Sequence, residues 1–442
     1  MSPGAGFGEV FWAANGTGTE ARPTGSEAGP GAASVGHGSQ TPPLPPHTGI
    51  AIVGAGYTGL AAARTLGRRG AEVLVLESET AGAGASTRNG GFVLPGYKRE
   101  LPGLIRRLGF ARVLELFEES LRAMAFVESL IAEEGIECDY HRAGHVTVAE
   151  SRRQLEDLDR HRELLEHRCR YPTTMLGADR IGEEIGSARY VGGVLDPRAA
   201  SVQPAQLLAG VRRAALGAGA KVAENTRVTR VSRDGARFTL ETSRGTLTAD
   251  DVLVATNGYR PPDPALRRRV IPVGSHIIAT APLERGLQRR LIPNARLVSD
   301  CRHLLHYYRM SGDGRLLFGG RAAFSPIGTP AAATRLRHDM VAIFPELRET
   351  AIDFAWSGTL GFARDQLPHA GRMNGIGYAC CYGGHGVAMS LYLGYRMGEY
   401  LTGGDPPPIA GLDFPAIPLY NGRPWFLPLA GAWFRLRDML DQ

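Results

Sequence analysis

The hydrophobic pattern of this chain is clearest between residues 50 and 77. Ile50–Val53 is an unbroken apolar run, the mark of a strand buried on both faces. From Tyr57 onward apolar side chains recur three and four positions apart, which predicts a helix. Val73–Leu76 is a second apolar run, closed by Glu77. Helical spacing returns at 101–135, at 151–168 and from Pro204 to Leu216. Strands are expected around Lys221–Val231, Phe238–Thr242, Thr246–Thr248 and Val252–Thr256. Residues 262–358 are strand-rich, and Ser311-Gly312-Asp313-Gly314 signals a hairpin within them. A last apolar strand from Ile376 ends in Gly383-Gly384-His385-Gly386 and opens a further helix. Strands alternating with helices predict an α/β fold. No internal repeat is apparent.

The turns between these elements carry the chemistry. The first strand ends in Gly54-x-Gly56-x-x-Gly59, and Glu77 closes the second. Strand, glycine turn, helix, strand and acid together form the context of a dinucleotide-binding fingerprint. Gly54 permits the tight turn, Gly56 lets the backbone approach a pyrophosphate, and Gly59 lets the helix pack on the strand. The pyrophosphate meets unpaired N–H groups and the positive end of the helix that Tyr57 and Thr58 open. Glu77, followed by Ser78, accepts from ribose hydroxyls, which argues for a ribose without a 2′-phosphate. The fingerprint alone fits NAD or FAD. No second parallel βαβ unit follows Glu77. Ala81–Gly91 reads AGAGASTRNGG, too rich in glycine and polar groups for a helix. The Gly-Gly-His-Gly turn supplies a second helix start that favours negative charge. Two such starts fit one FAD, the second facing the pyrimidine edge of the flavin.

These residues resemble the FAD-dependent oxidoreductases of the D-amino-acid oxidase superfamily, and within it the gamma-glutamylputrescine oxidase-like branch. The matching stretches include GAGYTGL (54–60), GASTRNGGF (84–92), ATNGY (255–259) and IPVGSHIIAT (271–280). They continue with YYRMSGDGRLLFGGR (307–321), FPEL (344–347), WSGTLGFARDQLPHAG (356–371) and GGHGV (383–387), and together span Phe11 to Leu436. The resemblance implies a discontinuous Rossmann-type FAD-binding domain beside a strand-rich α+β substrate domain. It places Gly54, Gly56, Gly59 and Glu77 on the ADP half. Ser86, Thr87, Arg88, Asn89, Gly90 and Gly91 would line the pyrophosphate and isoalloxazine. Val228 would meet the adenine through its backbone, and Thr256 and Gly258 end a strand beside the cofactor. Gly383, Gly384, His385, Gly386 and Val387 would sit at the pyrimidine edge. The chain departs from its branch at Cys381-Tyr382, where Gly-Tyr is usual. Some relatives attach flavin to a cysteine; WSGTLGFARD contains none, so FAD is expected to be noncovalent, with Cys380 and Cys381 as neighbours of interest.

The expected division is a flexible N-terminal segment (1–48), an FAD-binding domain (49–139, 201–261 and 359–403), a substrate domain (140–200 and 262–358) and a C-terminal tail (404–442). Residues 13–48 are rich in Gly, Pro, Ser, Thr and Ala, while Phe11 and Trp12 before them are apolar enough to dock on the body. Trp425, Phe426, Trp433 and Phe434 make the tail aromatic, and it is read as folding onto the body. The 442 residues carry a formal charge of +6, but bases interleave with acids, which argues against a nucleic-acid surface. Five cysteines without a CxxC pair suggest neither a disulfide framework nor a metal site. No apolar run approaches the roughly twenty residues of a membrane span. A cytoplasmic location is expected, with no nucleic-acid partner and a small-molecule amine as substrate.

The resemblance further implies oxidation of a C–N bond to an imine that hydrolyses to a carbonyl, with O2 reoxidising the flavin to give H2O2. The alternatives are an FAD-dependent amine dehydrogenase using another acceptor and an NAD(P)H-dependent FAD monooxygenase. His385 either touches flavin and substrate or packs under its turn. Alternation puts Tyr307 and Arg309 on one strand face and His306 and Tyr308 on the other. Arg309 either clamps a substrate carboxylate or pairs at the surface. Some relatives use a lysine near flavin N5 to speed reaction with oxygen; Lys98 and Lys221 are the chain's two lysines, and Lys98 follows the flavin loop. Trp356 either packs in the core or borders the substrate.

Overall fold

The computed structural model describes residues 6–7, 9–14, 43–99, 101–302, 304–320 and 328–440. Two large sheets organise them. The first is built around the strand His47–Val53, paired in parallel with Val73–Leu76 on one side and with Gly245–Val254 on the other. Lys221–Ala223 extends it beyond Val73–Leu76, and Arg237–Thr242 and Val228–Asp234 extend it in antiparallel fashion beyond Gly245–Val254. Gly245–Val254 changes partner along its length. Its first half meets Arg237–Thr242, and Leu253 and Val254 meet Gly377 and Tyr378 of the strand Ile376–Cys380. That exchange brings the C-terminal strand back beside the fingerprint.

The helix Tyr57–Arg68 buries Leu60, Ala61, Ala62, Ala63 and Leu66, an apolar stripe at helical spacing. It lies against the helix Gly386–Leu401 at close range. A Cβ at Gly394 would overlap the Thr58 carbonyl oxygen, and one at Gly398 would come within 2.7 Å of Thr65 Cβ. These two glycines, four apart on one face, let the helices nest. The N-termini of both helices thereby reach the wall of one cavity.

The second sheet has nine strands in the order 6–7, 352–362, 271–280, 316–320, 306–310, 297–300, 145–149, 192–196 and 174–176. Ser311–Gly314 makes the expected hairpin between His306–Met310 and Leu316–Gly320, with Gly314 at φ +84°. One face packs on the helix Thr329–Ile343, which buries Leu336, Met340 and Ile343. The other face looks toward the first sheet.

Several expectations need correcting. The stretch Lys221–Val231 is two strands in one sheet, and 246–248 and 252–254 belong to one strand, Gly245–Val254, which stops short of Ala255 and Thr256. Asp250 and Asp251 interrupt the apolar pattern without interrupting the strand. Asp251 pairs with Arg372, and Asp250 lies 3.3 Å from His47 Nε2 and 3.2 Å from Arg237 Nε. The helical stretch 101–135 breaks into Leu101–Leu108 and Phe110–Glu133 at Gly109, whose φ of +78° ends a helix. The described parts of the N-terminal segment, 6–7, 9–14 and 43–48, include regular structure. Gly6–Phe7 pairs with Phe354 and Ala355, Phe11–Ala14 is a short helix, and His47 opens a strand. Phe11 and Trp12 do dock, each 2% exposed. Most of 13–48 lies outside the described residues. The tail ends in a helix, Leu427–Leu440, held by Leu427 against Val273 and Phe362, while Trp425 and Trp433 face outward at 62% and 55% exposure. The side chains of Phe434 and Leu436 lie outside the described residues.

Candidate functional site: a cavity between the two sheets

One cavity of about 1110 Å3 runs between the sheets. Its first end is made mostly of backbone. Gly54 leaves the fingerprint strand at φ +108°, a conformation suited to glycine, and its N–H donates to the Leu76 carbonyl. A Cβ on Gly56 would stand 2.8 Å from Ser86 Oγ, so only glycine keeps this part of the floor open. A Cβ on Gly59 would overlap the Gly54 carbonyl oxygen; Gly59 serves helix–strand packing and is not on the cavity wall. Ser86 Oγ accepts from the Tyr57 N–H at 3.0 Å. Glu77 ends its strand on the wall, with Oε2 accepting from the Ala55 N–H at 2.8 Å and Oε1 from Ser78 and Glu79. Ser78, Thr58, Thr256 and Val228 line the same end. The strand pairing shifts register between Val228 and Arg230, beside the cavity.

The second end is made of side chains on one face of the nine-stranded sheet. His145, Ser299 and Tyr307 stand on three adjacent strands. Strand alternation turns all of them to the cavity, together with Thr147 and Ser275. Tyr307 pairs with Gly319 on the next strand, and a Cβ there would overlap the tyrosine ring. The missing side chain lets the ring lie flat over the sheet, its hydroxyl 3.4 Å from Ser275 Oγ and its edge against Phe92. His145 Nε2 lies 2.9 Å from Ser299 Oγ, and burial lowers its pKa from 6.5 to about 4, so it stays neutral at physiological pH. Sequence reasoning missed His145, Thr147, Ser275 and Ser299. Period-two alternation on the strand HVTVA was the available signal.

The candidates named from sequence separate into three groups. Gly54, Gly56, Tyr57, Thr58, Glu77, Ser78, Ser86, Arg88, Asn89, Gly90, Val228, Thr256, Gly383, Gly384, His385, Gly386, Val387, Lys98 and Tyr307 all border the cavity. Lys98 lies beside the Gly-Gly-His-Gly turn, its Cβ 3.5 Å from where a Gly383 Cβ would be. Thr87, Gly91 and Gly258 stand behind the wall. Thr87 donates to the Gly82 carbonyl at 2.6 Å, a Cβ on Gly91 would overlap the Val202 carbonyl oxygen, and one on Gly258 would press on the Leu360 backbone at 2.6 Å.

Arg309 is the clear correction. It shares the Tyr307 face, but it turns under the 88–91 loop instead of toward the cavity. Its Nε donates to the Gly90 carbonyl at 2.8 Å and its Nη2 to the Val202 carbonyl at 2.7 Å. Burial lowers its pKa from 12.5 to about 10, so it remains a cation, stacked on the Trp12 ring. It is neither a surface pair nor a carboxylate clamp. Cys380 and Cys381 are also off the wall, buried with Val252, Val254 and Phe414. Trp356 is a core residue, and its indole N–H donates to the Arg88 carbonyl at 3.1 Å. Among the described residues no group of three His, Cys, Asp or Glu is placed to hold a metal, and no helix is long and apolar enough to cross a membrane.

A cavity with a glycine cradle and an acid at one end, and room for a second ligand at the other, suits a dinucleotide that extends to a substrate. The family described as FAD dependent oxidoreductase (DAO) matches residues 49–400. The chain belongs to this family. It is 32% identical to gamma-glutamylputrescine oxidoreductase of Escherichia coli K12, over 88% of this chain and 93% of that protein. It is 31% identical to probable oxidoreductase OrdL of Haemophilus influenzae, over 87% and 90% respectively. The crystal structure of glycine oxidase from Geobacillus kaustophilus has the same fold, with a TM-score of 0.69 at 22% identity over 85% of this chain and 99% of that one. The protein is therefore an FAD-dependent oxidoreductase with a Rossmann-type FAD-binding fold.

Proposed function

We propose that this oxidoreductase is an oxidase of a primary or secondary amine or amino acid. It takes a C–N bond to an imine, which water hydrolyses to a carbonyl, and dioxygen accepts the electrons to give hydrogen peroxide. The observation that carries the reading is the single cavity, continuous from Glu77 and Val228 to Tyr307 and His145. The names of its relatives, a gamma-glutamylputrescine oxidoreductase and a glycine oxidase, support nitrogen-bearing substrates.

FAD, when bound, supplies the two-electron acceptor, and the protein supplies placement. Gly54, Gly56 and the N-terminus of the Tyr57 helix would hold the pyrophosphate, Glu77 the ribose and the backbone of Val228 the adenine. Ser86, Arg88, Asn89 and Gly90 would border the ring from one side, and Gly383 to Val387 from the pyrimidine edge. With no cysteine on the segment 356–365, we read the attachment as noncovalent. The substrate would then lie over Tyr307. An amine must be neutral to surrender a hydride equivalent from its carbon. An uncharged His145, two strands from Tyr307 on the same cavity wall, adds no positive charge that would oppose the developing iminium. Lys98, beside the Gly383 turn, would hold a positive charge where oxygen is reduced. Replacing it, Lys98→Met, is expected to slow reoxidation by air and leave anaerobic reduction unchanged; equal oxygen rates would remove that role.

The test is an anaerobic absorbance titration of the FAD-loaded protein with a panel of amines and amino acids, followed by air. Bleaching by one amine and recovery with peroxide is the expected result. Bleaching without recovery in air would mean a dehydrogenase using another acceptor, and bleaching by NADPH alone would mean a monooxygenase.

A further inference from the structure

The loop 88–91 borders the cavity, yet it is short, rich in glycine and carries no regular structure of its own. Its four successive carbonyls are all held from behind. The Trp356 indole N–H donates to Arg88 O at 3.1 Å, and the Trp12 indole N–H donates to Asn89 O at 2.8 Å. Arg309 Nε donates to Gly90 O at 2.8 Å, and the Val202 N–H donates to Gly91 O at 2.9 Å. Each donor comes from a different part of the chain. With its carbonyls held in this way, the loop presents Arg88, Asn89 and Gly90 to the cavity.

Trp12 stands out among these donors because it lies before the matched region, 49–400. Its position is fixed on every side. Arg309 lies 5.0 Å from its ring centroid, Gln203 Nε2 donates to its carbonyl at 3.1 Å, and Phe11 packs beside it at 4.9 Å. Phe11 in turn meets Phe354 and Trp356, while Gly6–Phe7 adds a parallel strand at the edge of the nine-stranded sheet. The arm thus ties that sheet to the loop. A surface-docking arm would need only apolar packing. Here a buried indole spends its one donor on a loop carbonyl, beside a buried guanidinium that does the same for the next residue.

We infer that the N-terminal arm is a strap for the flavin loop, with Trp12 as a positioning residue that sets the 88–91 backbone against the cofactor and so tightens FAD binding. The inference rests on the reading that this loop borders the flavin. Trp12→Phe keeps an aromatic ring in the slot and removes the donor, together with the second ring of the indole. Phe11→Leu weakens the packing and keeps the donor.

The experiment follows three quantities in the full-length variants: amide hydrogen exchange across 86–92, FAD affinity of the apoprotein by flavin fluorescence, and Tm. For Trp12→Phe, faster exchange in 86–92 and an FAD dissociation constant raised about tenfold are expected, the scale of one hydrogen bond, alongside a Tm lowered by the lost ring volume. For Phe11→Leu the expected pattern is a lower Tm with near-native FAD affinity. Native exchange and native affinity in Trp12→Phe would overturn the strap. Faster exchange with native FAD affinity would overturn the placement of the loop against the flavin, and the inference with it. If Trp12→Phe does not fold, Trp356→Phe removes the neighbouring donor and must show the same faster exchange and weaker FAD binding; a fall in Tm alone would overturn the inference.

Discussion

The two ends of the cavity are built on different principles. The end proposed to hold the ADP half is made of two short stretches of chain, residues 54–59 and 77–78, joined by Ser86 and Val228. Its recognition groups are N–H dipoles, glycines without side chains and one carboxylate. The end proposed for the substrate is assembled from strands far apart in sequence, and its groups are the side chains His145, Ser275, Ser299 and Tyr307. A cradle of backbone tolerates nothing larger than hydrogen at its glycines. A wall of side chains can change one group at a time while the cofactor stays in place. The first end should therefore decide whether FAD is held, and the second which amine reacts.

The largest effect should come from the backbone end. Gly59→Val drives a side chain into the Gly54 carbonyl oxygen, overpacking worth about 3 kcal/mol or more. A lower Tm and purification without flavin are the expected outcome. Glu77→Gln is gentler. It keeps the shape, removes a charged acceptor for ribose hydroxyls and should weaken FAD about 10- to 100-fold. Native affinity in that variant would remove Glu77 from the cradle.

At the substrate end Tyr307→Phe should lower kcat/KM for the amine about tenfold, the worth of one hydrogen bond, with FAD affinity kept. Gly319→Ala sharpens this, because the added Cβ must displace the Tyr307 ring and does not reach Gly54, Gly56 or Glu77. Activity equal to wild type in both would take Tyr307 out of the substrate site.

The smallest effect lies just behind the wall. His306 bridges Asp300 and Asp339 at 3.0 and 3.2 Å. Burial disfavours its charge, but hydrogen bonds and charge from both aspartates prevail and raise its pKa from 6.5 to about 9. A raised folded-state pKa stabilises the protein fully below pH 6.5, and that stabilisation is lost as pH rises through about 9. Tm of the wild type should fall over this window relative to His306→Gln. Parallel Tm profiles would contradict the bridge.

The same contrast explains what the sequence revealed. Gly54, Gly56 and Glu77 were legible because a turn, a close approach and a strand end are local demands on the chain. Tyr307 was found from its strand, but its face toward the cavity was settled only by Gly319 on the neighbouring strand. Arg309 was misread because alternation gives a face and no distance along it. Two positions beyond Tyr307 that face no longer looks onto the cavity, and it lies under the 88–91 loop. His145 was missed because alternation on the strand HVTVA gives it a face, and that face acquires a site only once three strands lie side by side. The close packing of the Tyr57 and Gly386 helices depends on Gly394 and Gly398, whose spacing is meaningful only once the partner helix is known.

The division of labour between the two ends is tested most directly by titrating FAD into the apoproteins of Glu77→Gln and Tyr307→Phe side by side with wild type. The account predicts a weakened dissociation constant for Glu77→Gln and an unchanged one for Tyr307→Phe. Equal losses in both, or a loss confined to Tyr307→Phe, would contradict it.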